Sequence, residues 1–247
     1  MAKRERIDKL LVDRGAVSSR ERARRLVMAG AVRIGEQVVD KPGALVPIDA
    51  AITVTGDDIP FVSRGGLKLA GALDVFGTPV RDRVVLDVGA STGGFTDCVL
   101  QRGARAVIAV DVGYGQFAWT LRGDARVTLL ERTNIRHLHP ASLPTLPDLA
   151  VIDVSFISLT LVLPTVVQSL AAAGDIIALV KPQFEVGKGH VGRGGVVRDP
   201  ALHARAVESV RQCALDLGLH AVGECESPLL GPKGNREFFL ALRKTTR

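Results

Sequence analysis

Four side chains in this sequence have the types that proton chemistry needs: Lys68, Asp153, Lys181 and Glu237. A lysine can take the proton of a weakly acidic hydroxyl only when burial and neighbouring cations disfavour its ammonium form. A carboxylate beside it then fixes where the amine points. Asp153 closes the run 149–153, and Lys181 closes the run 176–181. If both runs are strands of one parallel sheet, the two side chains reach the same crevice at the carboxyl ends of the strands. Glu237 opens the run 237–242 and can reach that rim, while Lys68 follows Ser63-Arg64-Gly65-Gly66-Leu67 ahead of the first strand. Taken singly, each reads as well as a salt-bridge partner, a helix-dipole partner or a surface charge.

The first strand-to-helix turn decides which ligand suits the crevice. It reads Asp87-Val88-Gly89-Ala90-Ser91-Thr92-Gly93-Gly94-Phe95. Glycines at a strand end let a ligand approach the backbone, and the helix behind offers N–H groups. A dinucleotide site needs G-x-G-x-x-G, and Ser91 stands where the second glycine belongs. Asp87 would repel a pyrophosphate but attract a sulfonium ligand that carries an amino group. Asp111, at the end of the second strand, is placed to accept both hydroxyls of a ribose. The turn favours S-adenosylmethionine over a nicotinamide cofactor. Its candidate contacts are Asp87, Gly89, Ser91, Gly93, Gly94, Phe95, Asp111 and Asp153, with Phe95 reading equally as core. A literal G-x-G-x-x-G does occur at 187–192, but it follows Phe184-Glu185-Val186 and no helix opens until about Asp199. That segment reads as a glycine-rich loop, suited to a lid.

The elements that must position these groups alternate. Strands are expected at 84–87, 106–110, 126–130, 149–153, 176–181, 220–225 and 237–242, and helices at 94–102, 115–122, 158–170 and 200–217. This is the pattern of a Rossmann-like, doubly wound α/β sheet. Gly231-Pro232-Lys233-Gly234-Asn235 joins the last two strands as a hairpin, so the sheet should end in an antiparallel strand, as in one class of methyltransferases. The 154–174 run carries no charge and is long enough to span a bilayer, but its Ser, Thr, Gln and Pro residues favour a strand end and a buried helix. Cys98, Cys213 and Cys225 show no C-x-x-C spacing, which argues against disulfides and zinc. The N-terminus has no apolar signal core, so a cytoplasmic location and no metal are expected.

Net charge is +6 over 247 residues, and residues 1–33 alone account for it with ten basic and four acidic side chains. Residues 1–60 read as a separate α+β module. Ile7, Leu10 and Leu11 mark a first helix that Gly15 stops, and Ser18 with Glu21 forms a capping box for a second helix. Short strands follow at 32–34, 37–39 and 52–54. Arg20, Arg22, Arg24 and Arg25 crowd the second helix, and Arg4, Arg6 and Lys9 lie nearby. No aromatic residue precedes Phe61. Single strands are usually held by stacking on aromatics, so this basic face suits the backbone of folded RNA instead. Asp57-Asp58-Ile59-Pro60 marks the boundary to a second domain, 61–247.

The front end resembles the S-four-type RNA-binding domain of ribosomal proteins and RNA-modifying enzymes. The likeness rests on Arg-Ile-Asp-Lys-Leu-Leu-Val, Ser-Ser-Arg-Glu-Arg-Ala-Arg-Arg-Leu-Val and Gly-Ala-Val-Arg-Ile-Gly. Six further motifs resemble the TlyA family: Ser-Arg-Gly-Gly-Leu-Lys-Leu (63–69), the turn 87–96, Asp-Val-Gly-Tyr-Gly-Gln (111–116), Glu-Arg-Thr-Asn (131–134), Asp-Val-Ser-Phe-Ile-Ser (153–158) and Val-Lys-Pro-Gln-Phe-Glu-Val-Gly-Lys-Gly (180–189). Members of that family are described both as haemolysins and as ribosomal RNA cytidine 2′-O-methyltransferases. The resemblance implies an FtsJ-like domain whose Lys-Asp-Lys-Glu tetrad falls on Lys68, Asp153, Lys181 and Glu237. It places Lys181 nearest the 2′-hydroxyl, and Thr133 and Asn134 beside the adenine. It implies ribosomal RNA or ribosomal subunits as partner. A membrane-damaging haemolysin and a non-catalytic ribosome-assembly factor are the competing readings.

Overall fold

The computed structural model describes residues 3–17, 19–54 and 60–244. The chain forms two compact units, Met1–Gly66 and Leu67–Arg247. In the first, a short strand β1 (Arg4–Arg6) runs into α1 (Ile7–Asp13), which is followed by α2 (Arg20–Met28), β2 (Val32–Ile34), β3 (Gln37–Val38), β4 (Leu45–Pro47) and β5 (Ile52–Val54). Ile7, Leu10 and Leu11 of α1 pack with Ala23, Leu26 and Val27 of α2, the helical spacing read from the sequence. Gly15, at φ +68°, ends α1 in the left-handed conformation. Ser19 caps α2, its side chain accepting the Arg22 N–H at 3.1 Å. The expected cap, Ser18, lies outside the described residues, as do 57–59 of the expected boundary. β2 sits between β3 and β5, all antiparallel, and β1 pairs with β4.

The second unit is built on a seven-stranded sheet. Its elements are α3 (Arg64–Phe76), β6 (Val84–Val88), α4 (Gly94–Gln101), β7 (Ala106–Val110), α5 (Trp119–Arg122), β8 (Val127–Leu130), β9 (Leu149–Ile152), α6 (Leu163–Ser169), β10 (Asp175–Val180), α7 (Pro182–Glu185), α8 (Pro200–Asp216), β11 (Leu219–Glu226) and β12 (Phe238–Lys244). The strand order is β11-β12-β10-β9-β6-β7-β8. β8, β7, β6, β9 and β10 are mutually parallel, and β12 pairs antiparallel with both β10 and β11. This is the Rossmann-like sheet with a terminal antiparallel strand that the alternation predicts. β6, β9 and β10 are buried at every position, which explains why they read as near-continuous apolar runs, interrupted only by Asp87 in β6 and Asp175 at the start of β10.

Three helices differ from expectation. α3 lies where no helix is expected; of its glycines, Gly66 gives its missing Cβ to the Phe61 ring and Gly71 to Pro228. α5 starts at Trp119 instead of 115, because Gly115 is left-handed at φ +75°. The 158–170 segment breaks into a 3-10 turn at Leu159–Leu161 and α6, with Pro164 in its first turn. Among the described residues no helix is long and apolar enough to cross a membrane, and no cluster could hold a metal ion.

Candidate active site

The turn after β6 is shaped by backbone that leaves no room for side chains. Gly89, at φ +84°, brings its Cα so close to the end of β9 that a Cβ would fall 2.5 Å from the Asp153 carbonyl oxygen. Gly93, at φ +95°, admits the Leu121 side chain in the same way. Ser91 is also left-handed, at φ +49°, and its N–H donates to Asp111 Oδ2 at 2.7 Å. The other Asp111 oxygen accepts from the Gly113 N–H at 2.6 Å and from Gln116 Nε2 at 3.2 Å. Asp111 thus binds the first two βα turns together and still faces an open cavity.

That cavity measures about 1030 Å³ and lies at the carboxyl ends of β6, β7, β9 and β10. Gly89, Ser91, Asp111, Thr133, Asn134 and Asp153 line it. Asn134 also caps a 3-10 turn, its carbonyl accepting the Arg136 N–H at 3.1 Å. The wall does not include Asp87, Gly93, Gly94 or Phe95. Phe95 stacks on Phe239 with ring centroids 6.3 Å apart and is core. Asp87 is fully buried: Oδ2 accepts from Thr96 Oγ1 at 2.6 Å, while Oδ1 has no hydrogen-bond partner. Burial first, then the charge of Asp153 and Asp111, pushes its carboxyl up to about 7 against the Thr96 hydrogen bonds.

The four lysines and carboxylates form two pairs. Lys181 Nζ lies 2.5 Å from Asp153 Oδ1 and donates to Ser155 Oγ at 2.9 Å. Lys68 Nζ, on α3, lies 2.6 Å from Glu237 Oε2, and the two residues are 6% and 1% exposed. The β10–β12 register pairs Val180 with Phe238, which puts Lys181 and Glu237 at one end of the same strand pair. Glu237 Oε1 rests against Gly231, where a Cβ would fall 2.4 Å from it. Each ammonium is held by a carboxylate from a different element.

The FtsJ-like methyltransferase model matches residues 61–244, and the S4 domain model matches residues 5–52. The chain is similar to the 16S/23S rRNA (cytidine-2′-O)-methyltransferase TlyA of Mycobacterium tuberculosis (strain ATCC 25618 / H37Rv), at 53% identity over 247 residues, covering 100% of this chain and 92% of the relative. This chain belongs to the TlyA family of FtsJ-like methyltransferases. A solved structure from Streptococcus thermophilus, named as a hemolysin, has 45% identity and a TM-score of 0.78, covering 99% of this chain and 90% of that one. An S-adenosylmethionine dependent methyltransferase from Listeria monocytogenes shares the fold alone, with 15% identity and a TM-score of 0.53 over 72% of this chain and 99% of that chain.

In this TlyA-family chain the basic residues of the front end do not stand alike. Asp8, with a fully buried side chain, binds Arg6 at 2.9 Å and Arg20 at 3.1 Å. The Arg6 guanidinium holds the Asp8 carboxyl below its usual range; Arg20 adds to this, and burial opposes it. Lys9 pairs with Glu5 at 2.6 Å, and Arg4 Nη2 donates to the Leu45 carbonyl at 2.7 Å. Arg24 and Arg25 are exposed, and Arg22 is half-buried.

Sequence reasoning passed over the cavity mouth. Phe156 is 90% exposed and left-handed at φ +65°, which is rare for a bulky residue. Its ring lies 5.2 Å from that of Phe184, and both line the cavity with Ser155. The available signal was an aromatic residue shortly after two strand ends in a chain with only 4% aromatics.

Proposed function

We propose that this protein transfers a methyl group from S-adenosylmethionine to the 2′-hydroxyl of a cytidine in ribosomal RNA. Residues 1–60 act as the RNA-binding domain and 61–247 as the methyltransferase domain. The observation that carries this reading is Lys181, held between Asp153 and Ser155, two residues that line a large cavity in an FtsJ-like sheet. The residues of the cavity fit the cofactor. Asp111 is a carboxylate at the end of β7 with lone pairs left for ribose hydroxyls, and Thr133 and Asn134 offer polar edges for an adenine. Asp87, buried below the turn with its carboxyl pushed up to about 7, gives up its proton more readily beside a cationic ligand and so acts on it through space rather than by contact.

S-adenosylmethionine supplies an electrophilic methyl group on a sulfonium. The chain's own residues do the rest. Lys181, entering the step as the neutral amine, takes the proton of the acceptor hydroxyl at Nζ and leaves it as the ammonium paired with Asp153, while Asp153 and Ser155 hold that nitrogen in line. Glu237 keeps the buried Lys68 ammonium at the end of the same strand pair, where positive charge favours the alkoxide that forms as the proton leaves. Arg4, Arg6, Lys9, Arg20, Arg22, Arg24 and Arg25 grip RNA phosphates, with Asp8 setting the angle of Arg6 and Arg20.

Strained backbone at an exposed aromatic marks a functional position. Phe156 and Phe184 offer faces on which an unstacked acceptor base can rest. Phe156→Ala is expected to lower kcat/KM for RNA by about 5- to 150-fold, the range of one base–aromatic stack, without weakening cofactor binding. Single-turnover transfer to ribosomal subunits checks it, and equal loss of cofactor affinity would refute the stacking role.

The deciding experiment supplies tritiated S-adenosylmethionine to purified protein with small or large ribosomal subunits and maps the labelled nucleotides. Label on a cytidine ribose is expected. No incorporation into either subunit would overturn the proposal. Lysis of liposomes by detergent-free protein would favour the haemolysin reading instead.

A further inference from the structure

Two loops at the cavity mouth are tied to each other at three points, and the last of these has no part in the methyl-transfer reading. The first loop follows β9 and runs from Asp153 to Ser158. The second follows β10 and runs from Lys181 through α7. At the near end Lys181 holds Asp153 and Ser155. In the middle the rings of Phe156 and Phe184 meet. At the far end Glu185 accepts two hydrogen bonds from the first loop and the turn behind it. Ser158 Oγ donates to Oε2 at 2.5 Å, and the Leu159 N–H donates to Oε1 at 2.9 Å.

Each side of this clasp is stiff. Lys181 and Glu185 are separated by one turn of α7, with Pro182 at its start and the Phe184 N–H returning to the Lys181 carbonyl at 2.9 Å. Ser158 caps the 3-10 turn, its Oγ accepting from the Thr160 N–H at 3.1 Å and lying 2.7 Å from Thr160 Oγ1. Cys213 Sγ of α8 meets the Thr160 carbonyl at 3.7 Å. A shift at Glu185 therefore passes to Lys181 on one side and to Asp153 on the other. Burial pushes the Glu185 carboxyl up, against the two hydrogen bonds that favour the carboxylate. Placing a desolvated carboxyl here is costly unless its bonds serve a purpose.

We infer, building on the methyl-transfer reading, that Glu185 is a positioning residue: by closing the far end of the clasp it sets Asp153 and Ser155 against the Lys181 amine. It does not line the cavity and acts through the residues it holds. The carboxylate's shape matters more than its charge. A glutamine there can accept from the Leu159 N–H through its carbonyl and donate to Ser158 Oγ through its amide.

The test compares Glu185→Ala, Glu185→Gln and Lys181→Met in the full chain, by methyl transfer to ribosomal subunits and by binding of S-adenosylhomocysteine. Glu185→Ala is expected to lower kcat by about 10- to 100-fold, the cost of a small misalignment, with both KM values within about twofold. Glu185→Gln should return kcat to near the wild-type value. The inference fails if Glu185→Ala leaves kcat unchanged, if cofactor affinity falls as much as kcat, or if glutamine is no better than alanine. Should Glu185→Ala not fold, Ser158→Ala removes one of the two bonds and must lower kcat on its own; an unchanged kcat there also overturns the inference. A dead Lys181→Met beside an unaffected Glu185→Ala sinks the clasp alone. A fully active Lys181→Met sinks the role of Lys181, and the clasp with it.

Discussion

Lys181→Met should cut methyl transfer by about 10²- to 10⁴-fold, the contribution typical of a positioned proton acceptor, while cofactor binding holds. Lys181 stands behind the cavity wall, and the side chain that replaces it fills a similar volume, so Asp153 and Ser155 in that wall keep their packing. Its charge is not replaced. Asp153, 22% exposed at its side chain, loses the cation 2.5 Å away and becomes a partly desolvated carboxylate without its partner. Some stability goes with it, less than the ~3–5 kcal/mol of a fully buried pair, because water reaches Asp153. A second variant separates the two effects. Lys181→Met with Asp153→Asn removes both charges, so thermal stability should recover while activity stays lost. If Lys181→Met methylates ribosomal subunits at the wild-type rate, Lys181 is not the proton acceptor.

Reversing charge on α2 should affect RNA and leave the cofactor alone. Arg24 and Arg25 are the residues to change, because both are exposed on the helix whose other face buries Ala23, Leu26 and Val27. Arg6 and Arg20 are poor choices: each holds buried Asp8, and removing either costs that carboxylate one of its two arginine partners in the small core. For Arg24→Glu with Arg25→Glu, the slope of log affinity against log salt should become shallower by about 1.4–1.8, the release expected from two phosphate contacts. Binding to ribosomal subunits should weaken most at low salt, where screening is least. Filter binding across a salt series, with S-adenosylhomocysteine calorimetry on the same protein, measures both. Equal loss of cofactor affinity would mean that the two units do not divide the work.

The sheet was legible because parallel strands buried on both faces must be apolar, and the turns between them carry glycine and aspartate. Asp153 and Lys181 stood out for the same reason: each is a charge placed where an apolar run ends. α3 is not legible in the sequence because its glycines could mark either a break or a close approach, and only the neighbours Phe61 and Pro228 tell which. Nor could spacing pair Lys68 with Glu237, 169 positions away, because that ion pair depends on where β12 enters the sheet. Asp87 lies buried beneath the turn instead of in the cavity wall, and the alternation of a strand does not reveal that depth. The arginines of the front end looked uniform in sequence, and a single buried aspartate divides them.

The insertion of β12 between β10 and β11 has a consequence for how the enzyme comes off the ribosome that makes it. Synthesis proceeds from the N-terminal end, so Lys68 emerges long before Glu237 and must wait for its carboxylate. Until β12 docks, β10 keeps an open edge and the ammonium of Lys68 has no counter-charge in the interior. Completion of the sheet and formation of the buried Lys68–Glu237 pair are therefore one event. A nascent chain carries its basic front end well before the Lys68–Glu237 pair can form.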